Sequence, residues 1–359
     1  MGFAPILNKG DALNLKNVVS RRAALQTLAL ASVAPIAGAQ TASRTARTEK
    51  GAAASPAAPR AWPTQPIRLL VGFPPGSVQD LSARVLAPGL AGAFGKPVIV
   101  ENKAGASGTI AADMVARATD LHTFGVMNNS QLTVAKILTP GIAYDPITDL
   151  SPIAMIGTTP LMLVVSNTAP GKNPLEHMGW LRNLGSTGNY GSPGTGTPGH
   201  LGMELLKTRA NLDLLHIPYP GNPQVIIALL GGQLHAGLLP PGLVLPHIQS
   251  GKLKAVAVTS GTRSPLAPDH PTLHEIDVRG AELELWSALA GPRALPQDIA
   301  ERLGAAAVTV IRETDVRGRL LTAGWQPTPT NAAGLAARIK SDTRIFGGII
   351  MMRGIHVDA

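Results

Sequence analysis

The segment Tyr190-Gly191-Ser192-Pro193-Gly194-Thr195-Gly196-Thr197-Pro198-Gly199-His200 combines small residues, hydroxyls and an imidazole at close spacing. Glycines in a turn that opens a helix expose backbone N–H groups and the positive end of the helix dipole to an anion placed above them. Ser192, Thr195 and Thr197 add hydroxyl donors, and His200 would add one more from the first helical turn. The same residues spell G-x-G-x-x-G at Gly194, Gly196 and Gly199, the dinucleotide fingerprint. That reading needs a good strand before the glycines and an acid at the far end of the next strand. Asn189-Tyr190 is a poor strand remnant and Asp213 stands at the beginning of Leu212 to Ile217, so a carboxylate is the better guest. A solvent-facing loop in which Gly and Pro only satisfy turn geometry is the alternative.

Pro74-Pro75-Gly76-Ser77-Val78-Gln79-Asp80 is a second loop of the same kind, and the two could face each other across a cleft. Asp80 would accept from a ligand amino or hydroxyl group, or cap its own helix from a position three after Ser77. Tyr219 and Gly221 again stand just past a strand. Enzyme signatures are missing: the chain has no G-x-S-x-G, no H-E-x-x-H and no Walker sequence. His270 and His274 with Glu275 have metal-pair spacing, but Pro268 and Pro271 argue against the helix that would align them. No metal and no cofactor is expected. With 3% aromatics there are few platforms for stacking bases, so nucleic-acid binding is discounted.

The elements that must hold these loops alternate. Ile67 to Phe73 reads as a buried strand stopped by Pro74-Pro75-Gly76, a helix follows with Leu81, Val85 and Leu86 on one face, and Pro97 to Val100 is the next strand. Gly105 to Gly108 reads as a turn, Thr109 to Ala118 as a helix and Thr123 to Met127 as a strand running into Asn128-Asn129-Ser130. Further strands or helices are expected at Leu161 to Val165, Leu175 to Leu184, Met203 to Lys207, Leu212 to Ile217, Val225 to Leu230 and Leu253 to Val258. Such alternation implies an α/β fold of mainly parallel sheets flanked by helices, with ligands beyond the carboxyl ends of the strands.

With 359 residues, no cysteine and 45% apolar residues, the chain is long enough for two cores, and disulfide or zinc-thiolate scaffolds are excluded. The net charge of +9 is front-loaded: residues 1–39 and 40–61 hold +3 each, leaving +3 for the body. Arg21-Arg22 precede a stretch without charge that ends in Ala37-Gly38-Ala39, which reads as a signal peptide cleaved near Ala39, of twin-arginine or ordinary secretory type. Residues 40–61 read as a flexible leader. The expected compartment is the periplasm.

Several motifs, taken in order, resemble the periplasmic substrate-binding components of tripartite tricarboxylate transporters, the Bug family. They are Trp62-Pro63-Thr64-Gln65-Pro66-Ile67-Arg68 with Phe73-Pro74-Pro75-Gly76, then Pro97 to Ala106, Tyr144-Asp145-Pro146, Tyr190-Gly191-Ser192, Pro218-Tyr219, Leu229 to Gln233 and Gly251 to Thr259. The resemblance implies a two-lobed, type II periplasmic-binding-protein-like fold, with residues 62–160 and 286–359 as lobe 1 and 161–285 as lobe 2. It implies a non-catalytic receptor that captures a small carboxylate in the interlobe cleft and delivers it to membrane transporter subunits. A hydrolase or transferase on the same architecture, or a sensor presenting itself to a signalling protein, are the alternatives. A monomer is expected. Ligand contacts are implied at Gly76, Ser77, Asp80, Asn128, Ser130, Thr158, Thr159, Ser192, Gly194, Thr195, Gly196, Thr197, His200 and Tyr219. The chain departs from the family pattern where Ser77 and Val78 interrupt the glycines after Pro-Pro, where Leu234 to Pro241 carries no acid, and at Asp120-Leu121-His122-Thr123.

Overall fold

The computed structural model describes residues 61–357; the expected export signal, and all but the last residue of the expected leader, lie outside them. Ile67–Val71 (β1) has four of five side chains buried, because it lies between two parallel neighbours. Its chain stops at Pro74-Pro75, and Gly76 turns with φ +80°. Ser77 then caps Val78–Phe94 (α1) by accepting from the Asp80 N–H at 3.4 Å, and Gly95 ends the helix in the left-handed conformation. Val98–Asn102 (β2), Thr109–Ala116 (α2), Thr123–Asn128 (β3), Asn129–Thr133 (α3), Ala135–Leu138 (α4) and Leu150–Pro160 (β4) follow.

The chain then crosses to a second sheet through Met162–Ser166 (β5), Pro174–Leu184 (α5), Asn189–Ser192 (β6), Pro198–Ala210 (α6), Leu215–Pro218 (β7), Asn222–Leu230 (α7), Ala236–Leu239 (β8), Pro241–Gln249 (α8) and Leu253–Val258 (β9). It returns as Glu284–Pro292 (β10), Gln297–Arg312 (α9), Thr314–Thr322 (α10), Gln326–Asn331 (β11) and Ala332–Arg353 (α11).

Two lobes result. The first is built on a six-stranded sheet ordered β11-β4-β10-β3-β1-β2, the second on a five-stranded sheet ordered β7-β6-β8-β5-β9. Each sheet is mixed rather than mainly parallel. β10 runs antiparallel to β3 and β4, and β5 runs antiparallel to β8 and β9. The reason is connectivity: β5 and β10 enter their sheets from the other lobe, so no helical crossover forces them parallel. The segments expected up to Val258 correspond to elements of this alternation, whereas α3, α4, β4, β8 and α8 had no expected counterpart, and β6, a poor strand by its sequence, is a full sheet member paired with β7 and β8.

Both crossing segments meet at Thr259. Its Oγ1 accepts from Leu161 N at 2.8 Å and donates to Leu283 O at 2.6 Å, while its N–H donates to Leu161 O at 2.8 Å. The buried indoles anchor neighbouring elements: Trp286 donates to Asp342 Oδ2 at 2.6 Å and Trp325 to Val78 O at 2.9 Å. The lobes touch across the cleft. Ser107 Oγ donates to Thr195 O at 2.8 Å, and Arg353 at the end of α11 donates to Glu204 Oε2 in α6 at 2.8 Å. Among the described residues no helix is long and apolar enough to cross a membrane.

Candidate functional site

Four helices start at one place between the lobes. α1 contributes Gln79, α6 contributes Thr197, Pro198 and Gly199, α7 contributes Asn222, and Pro240 caps α8; together with Asn128, the cap of α3, they line a small cavity. No ionisable side chain lines it. Its polarity comes from helix-start dipoles and from the amides of Gln79, Asn128 and Asn222, all at most 4% exposed. Such an arrangement suits an anion and needs no cationic side chain. Phe73, Leu161, Leu238 and Leu285 supply its apolar walls, and the enclosed volume is about 20 Å³, room for about one water. The lobes are closed on it.

A larger chamber of about 560 Å³ lies between the same loops. Its first-lobe wall includes Gly105, Ala106, Ser107 and Thr109 with Ser130, Gln131, Leu138 and Ile142, and its second-lobe wall is Gly194, Thr195 and Pro218 to Pro220. The two spaces share a border in sequence: Asn128 and Pro193 face the small cavity, Ser130 and Gly194 the chamber.

The two glycine-containing loops converge on this cleft from opposite lobes. Of the residues singled out in the sequence, Asn128 and Thr197 line the cavity, while Ser130, Gly194, Thr195 and Tyr219 line the chamber. The others do different work. Ser77 is a helix cap with its hydroxyl on Asp80 N. Asp80 accepts from Gly76 N, Arg84 Nε and Asn102 Nδ2 at 2.9 to 3.1 Å. Burial raises this carboxyl, but the bonds from Arg84, Gly76 and Asn102 outweigh it and hold the group below the usual carboxylate range. Its acceptor capacity is spent locally. Gly76 donates its N–H to Asp80 rather than to the cleft. Thr158 and Thr159 belong to β4, with Thr159 Oγ1 donating to Pro160 O, and line neither space.

Ser192, Gly196 and His200 shape the second-lobe loop from behind. Ser192 Oγ donates to Gly194 O at 3.0 Å and lies 2.7 Å from His216 Nε2. Gly196 N donates to His200 Nδ1 at 3.0 Å, and Thr197 Oγ1 donates to Gly194 O at 2.7 Å. His200 Nδ1 is thus an acceptor for its own loop. Its ring stacks on His216 with centroids 3.9 Å apart. Burial, then the neighbouring His216, lowers His200 to about 3, and burial lowers His216 to about 4. Gly196 sits at φ +78°, and a Cβ there would meet Leu138 of the first lobe. The fingerprint geometry for a dinucleotide stays incomplete: β6 precedes the glycines, but Asp213 is exposed in the turn before β7. Among the described residues no group of His, Asp or Glu could hold a metal ion; Glu275 instead pairs with Arg263 at 2.9 Å.

Gln79, Asn222 and Leu285 also line the cavity without having stood among the expected ligand contacts, and Leu238 and Pro240 join them from the stretch that departs from the family pattern. Gln79 and Asn222 had a readable signal, each standing in the first turn of a helix that opens just after a strand-end Pro-Gly pair.

Residues 82–355 match the tripartite tricarboxylate transporter family receptor pattern. A UPF0065 protein of Bordetella pertussis is 35% identical over 255 residues, 71% of this chain and 79% of that protein. The periplasmic binding protein BugD superposes with a TM-score of 0.78 at 28% identity, over 83% of this chain and 100% of that one. MatC of Rhodopseudomonas palustris with bound malate does so with a TM-score of 0.75 at 28% identity, over 80% and 100%.

Proposed function

The chain belongs to the tripartite tricarboxylate transporter receptor family, the Bug proteins, and from that premise we propose that it is a periplasmic receptor. It captures a small carboxylate between its lobes and hands it to membrane transporter subunits. The observation that carries this reading is the convergence of the α1, α6 and α7 starts, with the α8 cap, on one cavity without ionisable side chains. The malate bound by MatC supports a carboxylate as the guest. In this reading the lobes divide where the chain crosses, at residues 160–161 and near Trp286, and Thr259 ties the moving segments together. Admission of a guest larger than a water requires the lobes to part, with Gln79, Leu238 and Leu285 moving out of the cavity.

A hydrolytic reading would have to use the Ser192–His216 pair. Ser192 is fully buried behind the loop and lines neither space, so a substrate carbonyl has no route to its hydroxyl. Catalysis is therefore disfavoured.

Native mass spectrometry of freshly purified protein, looking for a retained small acid, tests the receptor reading, and titration calorimetry with that acid follows. Gln79→Glu keeps the side-chain size and a helix-start position that tolerates a negative charge, but puts that charge among the dipoles meant for the ligand. Affinity is expected to fall at least about tenfold with the melting temperature unchanged. A Gln79→Glu protein that binds the acid as wild type does would reject the cavity as the carboxylate site.

A further inference from the structure

The 560 Å³ chamber holds no Lys, Arg, His, Asp or Glu in its lining. Leu138, Ile142, Pro218, Tyr219 and Pro220 make most of its wall hydrocarbon, and the Tyr219 hydroxyl has no hydrogen-bond partner among the described residues. A second carboxylate placed there would lose its hydration with no cation in the lining to replace it, because the Ser107, Thr109 and Ser130 hydroxyls and the Gln131 amide already donate to Thr195 O, Ala106 O, Asn128 Oδ1 and Gly108 O. An uncharged ring or branched chain would meet a surface of its own kind.

The loop that roofs the chamber is held at a cost. Gly105 to Gly108 all have positive φ, including Ala106 at 47° and Ser107 at 56°, a region L side chains avoid. That conformation carries Ser107 across the gap to Thr195 O, 2.8 Å away, so the strained loop closes the chamber from the first lobe onto the second. The cavity at the helix starts, by contrast, has room for a head group only when the lobes part. Because neighbouring residues of the same loops line both spaces, Asn128 and Pro193 the cavity and Ser130 and Gly194 the chamber, one ligand can place its charged end at the helix starts and its body in the chamber.

We propose that this receptor selects carboxylates with one charged end and a bulky apolar body, an aromatic or branched monocarboxylate, over the dicarboxylates. The inference rests on the receptor reading and adds the ligand class to it. Calorimetry on the purified protein with phenylacetate, 4-methylpentanoate, malate and adipate tests it, using Ile142→Glu and Ile142→Leu as variants. Ile142 is only partly buried, so both variants should fold, and their melting curves check that. The expected result is that phenylacetate or 4-methylpentanoate binds at least about tenfold more tightly than malate and adipate. Ile142→Glu should weaken that binding by a similar factor, and Ile142→Leu should leave it intact.

Preference for malate or adipate, with affinity indifferent to Ile142→Glu, overturns the chamber inference and leaves the receptor reading standing. A retained acid seen by native mass spectrometry, with none of the four probes bound, has the same meaning. No retained acid and no binding of any probe overturns both.

Discussion

Gly242→Val should leave the protein folded but unable to close, with ligand affinity down about a hundredfold or more and a scattering radius that no longer shrinks on adding ligand. Gly242 lies in the first turn of α8 in the second lobe, and Gly324 lies between α10 and β11 in the first. A Cβ on Gly242 would come 2.6 Å from Gly324 Cα and 3.0 Å from its nitrogen. Both obstructing atoms are backbone, so no rotamer change relieves the overlap. Gly242 has ordinary helical backbone and needs no positive φ, so the side chain is tolerated once the lobes separate. Gly324 differs, because its φ of +82° would add strain to any substitution. Neither Gly242 nor Gly324 lines the cavity or the chamber, so lost affinity would report closure rather than a lost ligand contact. Gly318→Ala, with open space around the new Cβ, is the control and should behave as wild type. Unchanged affinity and an unchanged compaction in Gly242→Val would mean that the closed contact plays no part in binding.

The glycine pair also marks the limit of what the sequence discloses. Punctuation by Pro and Gly delimits β1, α1, α7 and β9 and the start of α2 to within a few residues, because those stops are local: Ser77 with Asp80 at one helix start, Gly95 at its end. The convergence of the two loops was legible through the βα order. The role of Asp80 was legible only as a choice between ligand partner and cap, which its bonds to Gly76, Arg84 and Asn102 resolve locally. Neither the antiparallel course of β5 and β10 nor the wall made by Leu285 could be read, since both arise where distant segments meet, whereas Leu238 lies in the stretch marked by its departure from the family pattern. Thr158 and Thr159 were placed by resemblance alone, and nothing in their own neighbourhood aims them at the cleft.

Lowering the pH from 7 to about 4.5 should cost the protein stability, on the order of 6 to 10 °C in melting temperature, by charging the His200–His216 stack. Both rings have folded-state values, about 3 and about 4, below the 6.5 of an unfolded histidine. The unfolded chain therefore takes up protons that the folded chain refuses. Their contribution is complete above about pH 6.5 and is lost as pH falls toward the folded values. For His200 that is roughly 3 kcal/mol by pH 4, and less for His216, which solvent partly reaches. Glu204 acts in the same direction at the acid end. Burial raises its carboxyl, but bonds from Lys207, Tyr190 and Arg353 hold it below the usual range, so protonating it loosens the α11-to-α6 bridge. Opposing charge near the rings comes from Glu204, which favours the imidazolium, and like charge from Lys207, which disfavours it.

The stack also fixes the loop that forms the second-lobe wall. Nδ1 of His200 accepts the Gly196 N–H, and once protonated it becomes a donor facing a donor. Ligand release should accompany the loss of stability, so calorimetric affinity and melting temperature should decline together over this window. His216→Gln can keep a polar partner for Ser192 while removing one titrating ring, and its melting temperature should fall less steeply with pH than that of the wild type. Identical slopes in the two proteins would show that acid acts elsewhere in the fold, and the loop's dependence on a neutral His200 would have to be abandoned.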